Sequence, residues 1–116
     1  MIKIYGIKNC DTVKKALNWL NDNKIEYQFH DYKKAGIDEK KLKEFIVKFG
    51  LEKVLNSKGR TYKQLGDTEK PTNEKEAISL MIEKTSLIKR PIIEGKSVWL
   101  IGFNEDEYQK AFGLLK

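Results

Sequence analysis

Three places in this 116-residue sequence carry side chains suited to chemistry: Cys10, the Arg90-Pro91 pair and His30. Cys10 is the only cysteine, and it lies in the polar stretch Lys8-Asn9-Cys10-Asp11-Thr12. A free cysteine most often behaves as a small buried hydrophobe. One placed at a helix N-terminus instead meets the positive end of the helix dipole and unpaired backbone N–H groups. Both favour the thiolate, which is the nucleophilic form. Lys8, Lys14 and Lys15 add positive charge nearby, while the Asp11 carboxylate opposes a second anion. The residue three places after Cys10 is Val13, so there is no Cys-x-x-Cys pair. A covalent intermediate on Cys10 must then be resolved by a thiol from outside the chain, such as glutathione, another small thiol or a partner redoxin.

Arg90-Pro91 admits two readings. In one it is a loop entering an edge strand, with the usual trans bond. In the other Pro91 is cis and Arg90 holds an anion beside Cys10. His30 alternates onto the polar side of a strand, where a lone histidine is usually structural or exposed. Trp19 and Trp99 read as packing residues. Nothing in the sequence suggests a serine triad, a glycine-rich phosphate loop or a metal-ligand cluster, so no bound metal or cofactor is expected.

The elements that position these residues follow from periodicity. Residues 2–6 read as a strand. Val13, Ala16, Leu17 and Leu20 recur at helical spacing and give one apolar face. Ile25, Tyr27 and Phe29 alternate with Glu26, Gln28 and His30, as in a strand with one buried face. Strand, helix, strand at this length is a βαβ unit, with parallel strands and a right-handed crossover. Asp38 can cap a helix bearing Leu42, Phe45, Ile46 and Phe49, with Gly50 ending it. Leu51 to Leu55 can add a turn, and residues 56–59 form a loop. Asn73 and Glu76 suit a capping box before Ala77, Leu80 and Met81. Pro91-Ile92-Ile93 and Val98-Trp99-Leu100-Ile101 are strand-like, joined at Glu94-Gly95-Lys96 as a hairpin. Asn104 and Glu107 cap a last helix carrying Tyr108, Ala111, Phe112 and Leu115. The order is βαβ, helices, then ββα. That is an α/β, thioredoxin-like plan with a mixed sheet and a helical insertion at about 36–86, in a single domain spanning 1–116.

Composition narrows the class. The net charge is +6, and of 23 basic residues only Arg60 and Arg90 are arginine, which leaves 21 lysines. The lysines are interleaved with acidic residues, which reads as a solvated surface favouring anionic ligands, without a nucleic-acid-reading helix. No apolar run approaches the roughly 20 residues of a membrane helix. The alternating N-terminus is unlike a signal peptide. A single cysteine fits a reducing, cytoplasmic setting.

With these elements in place, the chain resembles the ArsC family of arsenate reductase-like proteins, most closely its YffB-like branch, and more distantly the Spx-type regulators. Four segments carry the resemblance, in order along nearly the whole chain. They are Tyr5-Gly6-Ile7-Lys8-Asn9-Cys10-Asp11-Thr12-Val13-Lys14-Lys15-Ala16, His30-Asp31-Tyr32-Lys33, Leu87-Ile88-Lys89-Arg90-Pro91 and Ile101-Gly102-Phe103. The resemblance implies that Cys10 is the redox-active nucleophile, that Pro91 is the cis-proline beside it and that Arg90 faces the site. Arsenate reductases of the family hold their oxyanion with three arginines. Only Arg90 matches here; Asn56 and Gly102 stand at the other two positions. Spx-type regulators typically use a Cys-x-x-Cys switch, whose second half Val13 removes.

The expected function is a glutathione-dependent thiol-disulfide oxidoreductase. Cys10 is catalytic, and Lys8, Asn9, Asp11, Thr12, Lys15, Arg90 and Pro91 bind substrate. Lys8, Lys15 and Arg90 would attract the glutathione carboxylates, and backbone groups near Pro91 would pair with its extended peptide. The alternatives are a glutaredoxin-dependent arsenate reductase and a non-enzymatic Spx-like regulator that binds RNA polymerase.

Overall fold

β1 (Ile2–Gly6) and β2 (Tyr27–Asp31) run parallel, joined by helix α1 (Asp11–Asp22). The structure, a computed structural model, describes residues 1–113; Leu115, expected on the last helix, lies outside them. β3 (Ile92–Glu94) pairs antiparallel with β1, and β4 (Trp99–Ile101) antiparallel with β3. The sheet order is β2-β1-β3-β4, the mixed α/β sheet of a thioredoxin-like fold. The β3–β4 hairpin is wider than the expected turn at Glu94-Gly95-Lys96. Its loop covers residues 95–98 and closes with Gly95 N–H donating to the Val98 carbonyl at 2.8 Å.

The described residues fall into two compact units. One combines Met1–Lys34 with the chain from Arg90 onward; the other is Ala35–Lys89. In the first, Ile4, Ile93 and Leu100 from the sheet pack with Ala16, Trp19 and Leu20 of α1 and with Tyr108 of the last helix (Glu105–Ala111). Val13 is fully buried as well. A Cβ on Gly6 would lie 2.8 Å from Val13 Cγ2, so only glycine lets β1 pass this close to α1. Ala111 is exposed, contrary to the face expected from its spacing. The helix holds only two turns, and Tyr108 and Phe112 supply its packing.

In the second unit, helices α3 (Glu39–Phe49), α4 (Leu51–Val54), α5 (Arg60–Lys63) and α6 (Glu74–Glu83) precede a 3-10 turn at Thr85–Leu87. α2 (Tyr32–Ala35) comes before them, and the helix at Glu105–Ala111 is α7. The caps form where the sequence places them. Asp38 accepts from Lys41 N–H at 2.7 Å and Asn73 from Glu76 N–H at 2.9 Å. The Glu76 carboxylate turns back onto Thr72, accepting from both its N–H and its hydroxyl, and does not reach Asn73. Asp38→Ala is expected to destabilise the protein by about 1 kcal/mol, the usual worth of an N-cap, read as a lower urea midpoint with an unchanged slope. Among the described residues, no helix is long and apolar enough to cross a membrane.

Candidate active site

Strand register brings one end of the sheet together. Gly6, at the end of β1, lies opposite Asp31 at the end of β2. Tyr5 lies opposite Ile92, so the start of β3 sits beside the exit of β1. Ile92 lies opposite Ile101, which sets Gly102 next to Pro91. The β1–α1 loop with Cys10, the residues after β2 and the Arg90-Pro91 pair therefore converge although they are far apart in sequence.

Cys10 is the N-cap residue of α1, with extended backbone (φ −115°, ψ 124°), and it is partly buried. Its carbonyl accepts from Lys14 N–H at 2.9 Å, the first hydrogen bond of the helix. The sulfur closes no regular capping bond. Burial pushes the thiol pKa up, but this is outweighed by the Val13 N–H, the hydrogen bond and charge of the Arg90 guanidinium and the Thr12 N–H. The net result is a thiol more acidic than an ordinary cysteine. The positive field on the sulfur comes from Arg90 and the helix start. Lys8, Lys14 and Lys15, which the sequence suggested for that role, have exposed side chains, as do Asn9, Asp11 and Thr12.

The Arg90-Pro91 peptide bond is cis, not the trans bond of the loop reading. Pro91 is buried, and its carbonyl accepts from Gly102 N–H at 2.8 Å. Proline has no N–H, so Pro91 offers a bound peptide only the second lone pair of its carbonyl. Gly102 has φ +76°, a conformation that favours glycine. Its carbonyl accepts from the Tyr108 hydroxyl at 2.6 Å.

His30 is partly buried within an aromatic group and is not on a solvated face. Its ring centroid is 5.0 Å from Tyr5 and 6.0 Å from Tyr32, and Tyr5 and Tyr32 stack at 6.2 Å. The Tyr5 hydroxyl donates to Glu94 at 2.7 Å. The Tyr32 hydroxyl is buried with no hydrogen-bond partner. Burial and Tyr5 hold its pKa above the ordinary tyrosine value, against the opposing charge of Arg90. Sequence reasoning quoted Tyr32 only as part of a motif. Its one signal was to follow Asp31 at the end of an otherwise alternating strand.

The chain matches the family model described as the ArsC family over residues 5–111. A protein of Haemophilus influenzae is 48% identical over 113 residues, covering 97% of this chain and 99% of its own length. The chain belongs to the ArsC family. The solved structure of the YFFB (PA3664) protein superposes with a TM-score of 0.91 at 43% identity, covering 96% of this chain and 98% of its own. A more distant relative is the global transcriptional regulator Spx of Lactiplantibacillus plantarum, 24% identical over 112 residues, with 95% of this chain and 85% of that protein covered. The thioredoxin-like fold and the relation to Spx regulators thus accompany membership of the ArsC family. Among the described residues, no group of three or more His, Cys, Asp or Glu side chains is arranged to hold a metal ion.

Proposed function

We propose that this ArsC-family protein is a glutathione-dependent thiol-disulfide oxidoreductase with Cys10 as its nucleophile. The observation that carries the reading is the Arg90 guanidinium on the sulfur of a cysteine that caps α1. The Cys10 thiolate attacks the glutathionyl sulfur of a mixed disulfide. A Cys10–glutathione S–S bond forms as the substrate S–S bond breaks, and the departing thiolate takes a proton from solvent. A second glutathione thiolate then attacks the glutathionyl sulfur of the adduct. Glutathione disulfide leaves and Cys10 returns as thiolate. Arg90 favours the thiolate, and the net charge of +6 favours an anionic tripeptide. Lys8 and Lys15 are exposed near the sulfur in sequence and attract its carboxylates, while Asn9, Asp11 and Thr12 line the approach. A lone cysteine supports a reducing, cytoplasmic setting.

The test is the pH dependence of glutathione incorporation from oxidised glutathione, read by intact mass. The expected midpoint lies below the free-thiol value of about 8.5. Arg90→Ala is expected to raise it and to slow uptake at pH 7 about tenfold, the scale of one charge-assisted hydrogen bond. A wild-type midpoint at or above the free-thiol value would overturn the reading.

The kinship with Spx favours a second reading, a non-enzymatic regulator binding RNA polymerase. Polymerase capture that survives Cys10→Ser would support it. Arsenate reduction with glutathione and glutaredoxin shares the nucleophile but has only two arginines to draw on. Lysine does not reproduce the planar fork with which arginine holds an oxyanion. Arsenate-dependent turnover separates this chemistry from disulfide exchange.

A further inference from the structure

Gly102 is held from both sides. Its N–H donates to the Pro91 carbonyl at 2.8 Å, and its own carbonyl accepts from the Tyr108 hydroxyl at 2.6 Å. These two bonds fix the peptide planes before and after its Cα, at φ +76°. A glycine left to itself samples many conformations, so the clamp has to come from outside it. Tyr108 can supply that clamp because packing fixes its ring. It is fully buried, with Trp19 edge-on at 5.4 Å and Phe103 at 4.9 Å.

The Pro91 carbonyl, where this run of bonds ends, lies at the cysteine end of the sheet. The pairing of Tyr5 with Ile92 sets Pro91 across from Gly6, which packs against Val13 in the first turn of α1. A carbonyl oxygen has two lone pairs. The Gly102 N–H takes one and thereby orients the other. We propose that Tyr108 is a positioning residue that sets specificity: through Gly102, its hydroxyl aims the remaining lone pair of the Pro91 carbonyl at a peptide N–H of the glutathionyl group as that group bonds to Cys10. This rests on the reading of Cys10 as a thiol that exchanges with glutathione. It adds a selectivity: the clamp favours disulfides that carry a peptide N–H and is indifferent to those that carry none.

The experiment compares two disulfides as oxidants of wild type and Tyr108→Phe and reads the rate of adduct formation at Cys10 by intact mass. Oxidised glutathione has peptide N–H groups, and hydroxyethyl disulfide has none. With either, the Cys10 thiolate forms an S–S bond to one sulfur, and the other leaves as a thiolate that takes a proton from solvent. Tyr108→Phe keeps the ring and removes only the hydroxyl, and thermal melting sets an assay temperature at which the variant is folded. Its rate constant with oxidised glutathione is expected to fall about fivefold, the scale of one neutral hydrogen bond. Its rate constant with hydroxyethyl disulfide is expected to stay at the wild-type value. A merely structural role moves both rates together. Equal changes with the two disulfides, or no change with either, would overturn the proposal. A wild-type protein that reacts with neither disulfide fails at Cys10 itself, and the proposal goes with it. If Tyr108→Phe does not fold, wild type carries the test. S-methylglutathione, which has the peptide but no thiol or disulfide, is titrated in, and the backbone amides are followed by NMR. The Gly102 amide is expected to shift, and one that stays in place at the end of the titration sinks the proposal.

Discussion

Cys10→Ser protein is expected to gain no mass in oxidised glutathione at any pH and to lose all glutathione-dependent disulfide reduction, while melting within a few degrees of wild type. The loss should be complete because the chain has no other cysteine to take over. A serine hydroxyl is not ionised near neutral pH, so neither Arg90 nor the α1 N–H groups have an anion to stabilise. Stability should change little because Cys10 is only partly buried and a serine oxygen can accept from the same α1 N–H groups that face the sulfur. Serine is itself a preferred N-cap and can add a little helix stability. Intact mass and a coupled glutathione assay decide the first half, and thermal melting the second. Residual turnover in the variant would remove Cys10 from the chemistry. Turnover lost together with the fold would leave the sulfur a structural part.

Tyr108→Ala is expected to cost about 3–5 kcal/mol, the range for truncating a buried aromatic, seen as a large drop in the urea midpoint. The ring is fully buried and meets Trp19 edge-on at 5.4 Å and Phe103 at 4.9 Å. Its hydroxyl supplies the hydrogen bond to Gly102, whose N–H in turn holds the Pro91 carbonyl. Tyr108→Phe separates the two contributions. It keeps the ring and removes only the donor to Gly102, at a cost of about 1–3 kcal/mol for a buried group left unpaired. Equal losses in the two variants would show that the hydroxyl, and not the ring, carries the effect.

Both residues show how far the sequence could be read. Cys10 was legible because a lone cysteine between an alternating strand and a helical repeat can hardly fail to sit at a helix start. Helices α3, α6 and α7 were legible because Asp38, Asn73 and Asn104 have side chains that bond to the backbone three residues on. The short helix α5 was missed because Arg60-Thr-Tyr-Lys63 is too short for an apolar period. β2 begins at Tyr27, although alternation starts at Ile25, because hydrophobic spacing does not say where pairing starts. His30, read as structural or exposed, is the structural kind: it is partly buried among aromatic rings, because both faces of this sheet bury side chains. Ile4 and Ile93 lie on one face and Tyr5 and Ile92 on the other. Residues 80 positions apart, such as Cys10 and Arg90, meet only through the β1–β3 register, which no local pattern encodes.

The fully buried Val13, packed against Gly6, occupies the place where a Cys-x-x-Cys protein keeps its second sulfur. A second sulfur there would give the oxidised state a unimolecular exit, with a lifetime set by the protein alone. With a valine, every return to the reduced state under the proposed cycle is a collision with a free thiol. The lifetime of the adduct then scales inversely with the concentration of that thiol. The fraction of the protein held as adduct becomes a running measure of the surrounding thiol supply, and one core side chain makes it so.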